Sequence, residues 1–334
     1  MAPGKQSALL LDTESGLGCA EIALPFDDRR PQRGVERLRI ATLDGDEPAD
    51  LPLKDGAHRV LFVHVPKTAG SSLYSIFRTL LQPAELLKLH PDRETLARIN
   101  ALSGRQVRRL KVLYGHIDVQ LARQIVPLQQ CVTLLRDPVD RVVSYYAFTK
   151  HMNSGAHSEL ARRTPIMQWI DALCLPETDN GMVRRFAGAL HEAGHGACTR
   201  QMLEQAKINL ARFGLVGLTS RFDEFYALLA ARLGLPMRTY VAAKVNAKRL
   251  PFHQLSADTV AELERRNALD RELYRFGEDL FARQLAQVDL SAAIDQFRSR
   301  SGNRALRARD VARRIAFARW KKMRRRWSMS PFLG

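Results

Sequence analysis

The chain predicts an α/β fold: a central parallel sheet flanked by helices, with an irregular N-terminal extension over 1–58 and a basic helical tail over 291–334. Three observations predict it. Short apolar runs of strand length alternate with helical patterns through residues 59–290, as in a parallel sheet covered on both faces. Three of those runs end in a polar motif, at the carboxyl ends where such sheets bind ligands. The 334 residues, 46% of them hydrophobic, can bury one large core.

The first strand is read over Arg59–Val65 (RVLFVHV), and the helix after it over Ser71–Leu81. A helix follows at Arg93–Leu102, then strands at Lys111–Tyr114 and Cys131–Leu135. The segment Asp140–Lys150 reads as a helix. So does Phe222–Leu233, after a strand at Phe213–Leu218. Residues 151–200 scatter Gly, His and Asn and read as a less regular lid or acceptor-binding insertion. Ser256–Gln284 reads as a helical pair broken at Asn267, with Val260, Leu263, Leu269, Leu273, Phe276 and Leu280 on its apolar faces. Residues 1–58 are rich in Gly, Pro and Asp, with a hairpin expected near Val35–Ile40.

Charge is uneven. The chain carries a net +17, yet residues 1–58 carry −4, so the remainder carries +21. A basic body calls for an anionic partner: a nucleotide, a nucleic acid, an acidic glycan or a membrane surface. From Arg304 to Arg326 there are 11 Lys and Arg against the single acid Asp310, interleaved with Ile315, Trp320 and Met323 and followed by Trp327. A solvated helix is the default reading of that stretch. Peripheral contact with an anionic membrane through 304–327 is a second reading, and guidance of an acidic glycan a third. No recognised nucleic-acid module accompanies the charge, so no specific nucleic-acid partner is expected.

No run of about 18 apolar residues occurs, and the apolar patch Ala8–Leu11 is followed at once by Asp12 and Glu14, unlike a secretory signal. Cys19, Cys131, Cys174 and Cys198 are far apart and form no CxxC; they are expected as reduced thiols. The expected location is cytoplasmic, peripheral at the inner face of the membrane if the tail binds there.

Pro66-Lys67-Thr68-Ala69-Gly70-Ser71-Ser72 joins the first strand to its helix. A loop with Gly and hydroxyl residues that opens a helix is an anion cradle: loop N–H groups and the helix dipole converge on one point, and Lys67 adds a full charge. A nucleotide-hydrolysing loop reads GxxxxGK[ST], with Lys after the last Gly. Here Lys67 precedes Gly70, which disfavours that class. Downstream, Arg136 ends a strand and Ser144 follows eight residues later on the next helix. Arg offers phosphate a planar fork, and Ser144 can bond the same group. Asp137 suits an N-cap and Pro138 a first helical turn. Between these motifs lies Tyr114-Gly115-His116, and His is the residue best suited to accept a proton near neutral pH.

These strings together resemble the sulfotransferase family that uses 3′-phosphoadenosine 5′-phosphosulfate (PAPS). HVPKTAGSS in particular resembles the branch containing heparan sulfate 2-O-sulfotransferase and related bacterial enzymes, and a bacterial source is expected. The resemblance covers roughly 59–286 and is tight only at the two donor motifs. It implies a P-loop-like sulfotransferase fold and transfer of a sulfuryl group from PAPS to a hydroxyl of a carbohydrate or glycolipid, with no metal required. In that scheme Pro66, Lys67, Thr68, Ala69, Gly70, Ser71 and Ser72 hold the 5′-phosphosulfate. Arg136 and Ser144 hold the 3′-phosphate. Lys67 stabilises the leaving oxygen, and His116 takes the acceptor's proton, with Asp118 in reserve. Tyr114 stands where the heparan sulfate enzyme has a His. The loop Lys244–Arg249 resembles one that closes over the donor, which brings in Lys248 and Arg249. Asp179–Gly188 resembles an acceptor-side segment.

Two other classes are carried alongside: a non-catalytic polyanion- or membrane-binding protein on this scaffold, and a nucleotide-dependent kinase. His191-Glu192-Ala193-Gly194-His195 matches the metalloprotease string HExxH, but Gly194 and Gly196 weaken the helix that chemistry needs and no third ligand follows.

Overall fold

A computed structural model describes residues 53, 59–91, 94–152, 155–238, 240 and 255–302. The extension over 1–52 and 54–58, the donor-closing loop with Lys244, Lys248 and Arg249, and the basic stretch 304–327 lie outside the described residues.

Five parallel strands form one sheet in the order β2-β3-β1-β4-β5. They are β1 (Val60–Val63), β2 (Leu86–Leu89), β3 (Val112–Gly115), β4 (Cys131–Leu135) and β5 (Leu215–Leu218). Every residue of β1, β3, β4 and β5 is buried, as strands covered on both faces require. Register places Val60 beside Val112 on one side of β1 and Leu61 beside Cys131 on the other. Edge strand β2 is absent from the sequence reading. Its Leu-Leu-Lys-Leu lacks β-branched residues and alternation, and it becomes a strand by pairing with β3.

The helices are α1 (Gly70–Leu80), α2 (Glu94–Asn100), α3 (Gly104–Arg109), α4 (Val119–Arg123) and α5 (Pro138–Lys150). Next come α6 (Ala156–Arg163), α7 (Ile166–Leu173), α8 (Gly181–Ala187) and α9 (Arg200–Ala211). The last are α10 (Phe222–Arg232), α11 (Ala257–Arg266), α12 (Ala268–Ala286) and α13 (Ser291–Gly302). Asn267 does separate the helical pair. Its amide bonds Asn180 N–H and Thr178 O, which fixes the α11–α12 corner to the chain before α8. Among the described residues, no helix is long and apolar enough to cross a membrane.

Residues 151–200 depart from expectation. They hold three α-helices, and α6 and α7 build a satellite core against α5 from Trp169, Ile170, Ile166, Val142 and Tyr146. Tyr146 Oη completes it by bonding Thr164 O at 2.7 Å. Short helices leave few periods to read, and the scattered polar residues are mixed, with His151 and His191 exposed but Asn180 buried. The cysteines depart in part: Cys131 and Cys198 keep their thiols as expected, but Cys174 is disulfide-bonded.

Candidate active site

The chain leaves adjacent strands β3, β1 and β4 at one edge of the sheet, so the three polar motifs meet. After β1 the loop turns through two left-handed non-glycine residues, Lys67 at φ 71° and Ala69 at φ 60°. Such backbone costs about 1–3 kcal/mol per residue and persists only where neighbours over-determine it. Two bonds do so here. Thr68 Oγ1 donates to Val65 O at 2.8 Å, and Arg136 Nη1 donates to Lys67 O at 2.9 Å. The loop ends at the N-terminus of α1, where the amides of Gly70 and Ser71 have no intrahelical acceptor. Ser72 N–H is already engaged by Ala69 O at 2.9 Å, and Ser72 is buried. The amides left open at this helix start are therefore those ahead of Ser72, with Ser71 exposed. Pro66 and Lys67 are half-buried, and Lys67 Nζ lies 4.0 Å from the centre of the Phe148 ring on α5.

Arg136 leaves the end of β4 and joins both donor motifs. Besides Lys67 O it donates from Nε and Nη2 to Asp140 Oδ2 at 3.2 and 3.1 Å. These bonds hold the guanidinium flat across the crevice while using three of its five N–H groups. Asp137 caps α5 by accepting from Asp140 N–H at 2.9 Å, and Pro138 opens the helix, as the sequence predicts. Ser144 lies two turns into α5, half-buried.

His116 follows β3. Its Nδ1 lies 3.1 Å from His64 O. A carbonyl can only accept, so this geometry assigns the ring proton to Nδ1 and the lone pair to Nε2. His116 is exposed at the crevice, although crowding protein and then Arg185 lower its pKa below the usual imidazole value. Water at the exposed edge moderates that desolvation. The imidazole is neutral at pH 7 and has an acceptor nitrogen. Asp118, the reserve base, instead caps α4 by accepting from Leu121 N–H at 2.9 Å.

Arg185 was not singled out as a site residue, yet it backs this site. It donates to Ile117 O at 2.9 Å and pairs with Glu177, which also meets Arg141. Within the segment Asp179–Gly188, Asp179, Asn180 and Met182–Phe186 are buried, with Arg184 locked to Asp179. Arg185 connects this segment with the crevice, through its bond to Ile117 O and its charge beside His116. His191 and His195 lie in a non-helical loop, so no helical face presents them together.

Residues 53–185 match the sulfotransferase family. The chain carries a sulfotransferase domain. Over 289 residues it is 25% identical to heparan sulfate 2-O-sulfotransferase 1 of Cricetulus griseus and of Gallus gallus, covering 75% of this chain and 80% of theirs. The Homo sapiens protein of that name is 24% identical over the same span. A solved structure, mouse sulfotransferase SULT7A1 complexed with PAP, aligns over 73% of this chain and 90% of its own with 11% identity and a TM-score of 0.34. Both donor motifs up to Ser144, and His116 between them, fall inside the matched 53–185 segment.

Proposed function

We propose that this sulfotransferase domain moves a sulfuryl group from PAPS to a hydroxyl of a carbohydrate acceptor by in-line displacement. The observation that carries the reading is the Arg136 clasp. One guanidinium bonds the Lys67 loop at its carbonyl and stands at the mouth of β4, so two anion-binding elements are pre-assembled as a unit. Two phosphate groups at the ends of one nucleotide suit such a pair. The alignment with proteins named heparan sulfate 2-O-sulfotransferase 1 supports a carbohydrate as the acceptor class.

In this reading the amides of Ala69, Gly70 and Ser71 bind the 5′-phosphate, and Arg136 with Ser144 binds the 3′-phosphate. Lys67 leaves Phe148 and stabilises charge on the phosphate oxygen as the S–O bond breaks. His116 Nε2 takes the acceptor hydroxyl's proton as its oxygen attacks sulfur. The work is positioning and electrostatic stabilisation. Peripheral membrane contact through 304–327 belongs to the proposal as a tail function separate from this chemistry.

The test is thermal stabilisation by adenosine 3′,5′-bisphosphate together with an acceptor screen using radiolabelled PAPS. Stabilisation that Arg136→Ala abolishes, with label transferred to a glycan, supports the proposal. Equal stabilisation by ATP that requires Mg²⁺ points to the kinase class. Donor-product binding with no transfer to any glycan, lipid or phenol points to the binding module.

A further inference from the structure

His64 is the polar side chain within the buried run Val60–Val65 and is itself 5% exposed. A buried imidazole needs a reason, since its polar atoms lose water. Three ring contacts supply one. Nδ1 lies 2.7 Å from Tyr114 Oη. One ring face stacks on His116, with centroids 4.0 Å apart and planes at 30°. The ring also lies against Gly70: a Cβ there would fall 2.0 Å from Nε2 and 2.2 Å from Cδ2. In the backbone, His64 N–H donates to Gly115 O at 2.8 Å, and His64 O holds His116 Nδ1.

One side chain thus touches both the first residue of the donor helix and the base. We propose that His64 is a positioning residue coupling the phosphate loop to His116, its ring held by Tyr114 so that Gly70 and His116 rest on it together. The inference builds on the reading above that His116 takes the proton. It also explains Gly70 in terms of contact: any side chain there displaces an imidazole that cannot move without moving the base. Tyr114 acquires a role as well. Its hydroxyl satisfies the buried ring, and its own ring packs on Phe62 and Tyr74 at 5.3 and 5.0 Å. Besides His64, the titratable or charged groups facing His116 are Arg185 on α8, Glu177 ahead of it and Lys88 on β2.

The experiment is a double-mutant cycle on Gly70→Ala and His64→Ala, read by sulfuryl-transfer rate and by the ¹⁵N signals of the His116 ring. Gly70→Ala alone is expected to cost about 100-fold in kcat, the scale of an ångström-sized misplacement of a catalytic group. If the damage travels through His64, the double variant is no slower than His64→Ala alone, whereas independent effects multiply. Multiplying costs overturn the proposal. Tyr114→Phe is the milder probe should His64→Ala fail to fold. It should lower kcat about tenfold, the scale of one lost hydrogen bond. Adenosine 3′,5′-bisphosphate affinity should stay within about twofold of wild type, since no anion contact is removed. The acid limb of its pH profile should move toward the ordinary imidazole value as the ring loosens. Unchanged His116 ring signals in both Gly70→Ala and Tyr114→Phe overturn the coupling whatever the activity. A wild type that transfers no sulfuryl group while those signals do shift overturns only the catalytic reading.

Discussion

Asp270 makes the sharpest stability prediction. It is wholly buried on α12 and accepts the first amides of another helix: Met182 N–H at 3.1 Å and Val183 N–H at 2.7 Å, both at the start of α8. Arg141 Nη2 adds a third bond at 3.3 Å. A carboxylate from a distant part of the chain therefore caps the helix that carries Arg185. Replacing Asp270 with Ala strands two buried donors, each costing about 1–3 kcal/mol. It also unbalances a buried cation, although Arg141 keeps Glu177. Breaking such a buried pair by removing one partner costs about 3–5 kcal/mol, and we take about 4 for Asp270→Ala. In a domain of this size that lowers Tm by roughly 10 °C. Asp270→Asn keeps one acceptor oxygen and should lose about half as much. Urea unfolding followed by circular dichroism measures both. An Asp270→Ala loss below about 1 kcal/mol would mean that α8 is not held by this carboxylate, and the reasoning fails.

The remaining predictions concern the site. His116→Ala should abolish turnover while leaving adenosine 3′,5′-bisphosphate affinity within about twofold, because the base touches acceptor and not nucleotide; calorimetry beside a transfer assay checks it, and normal turnover places the base elsewhere. Activity should persist below the ordinary imidazole pKa of about 6.5 and be lost only as pH falls through the depressed value, since His116 must be neutral to act and its folded pKa is lowered. A kcat profile whose acid limb sits at or above 6.5 contradicts this. Asp137→Ala removes the α5 cap and should cost about 1 kcal/mol of stability. It should also weaken bisphosphate binding, because both Ser144 and the Asp140 that orients Arg136 ride on that helix. Wild-type affinity in a destabilised Asp137→Ala protein would separate α5 geometry from donor binding.

The sheet's centre was legible because its strands are buried runs that no other element could use. Cys131–Leu135 is read to the residue, and the β1, β3 and β5 readings miss no bound by more than two residues. The turns proposed to bind the donor stood out for a different reason. Phosphate binding at a strand-to-helix turn needs small and hydroxyl residues in sequence, so the pattern is local. What escaped was what the chain makes over long separations. Strand β2 depends on β3 for its identity. Glu177, Arg185 and Arg141 meet across 36 and 8 residues of separation, and nothing local announces them. His64 stood in plain view as the polar residue in an apolar run, a signal that could have been followed. In Asp179–Gly188 the string alone does not announce that Asp179, Asn180 and Arg184 are each buried with a partner.

The strand order also bears on how the protein is made. Strand β1 leaves the ribosome before both of its neighbours: Val60 waits for Val112, and Leu61 for Cys131, 70 residues later. At roughly 5–20 residues per second, the apolar edges of Val60–Val63 stay open for several seconds. Until then no contact forms between the Lys67 turn and Arg136, because Arg136 does not yet exist. The strained turn therefore cannot be held by Arg136 while β1 is still unpaired, so the proposed donor site does not seed the first part of the fold. A nascent chain halted near residue 110 would display an unpaired apolar strand, which makes translation speed and chaperone capture determinants of yield for this topology.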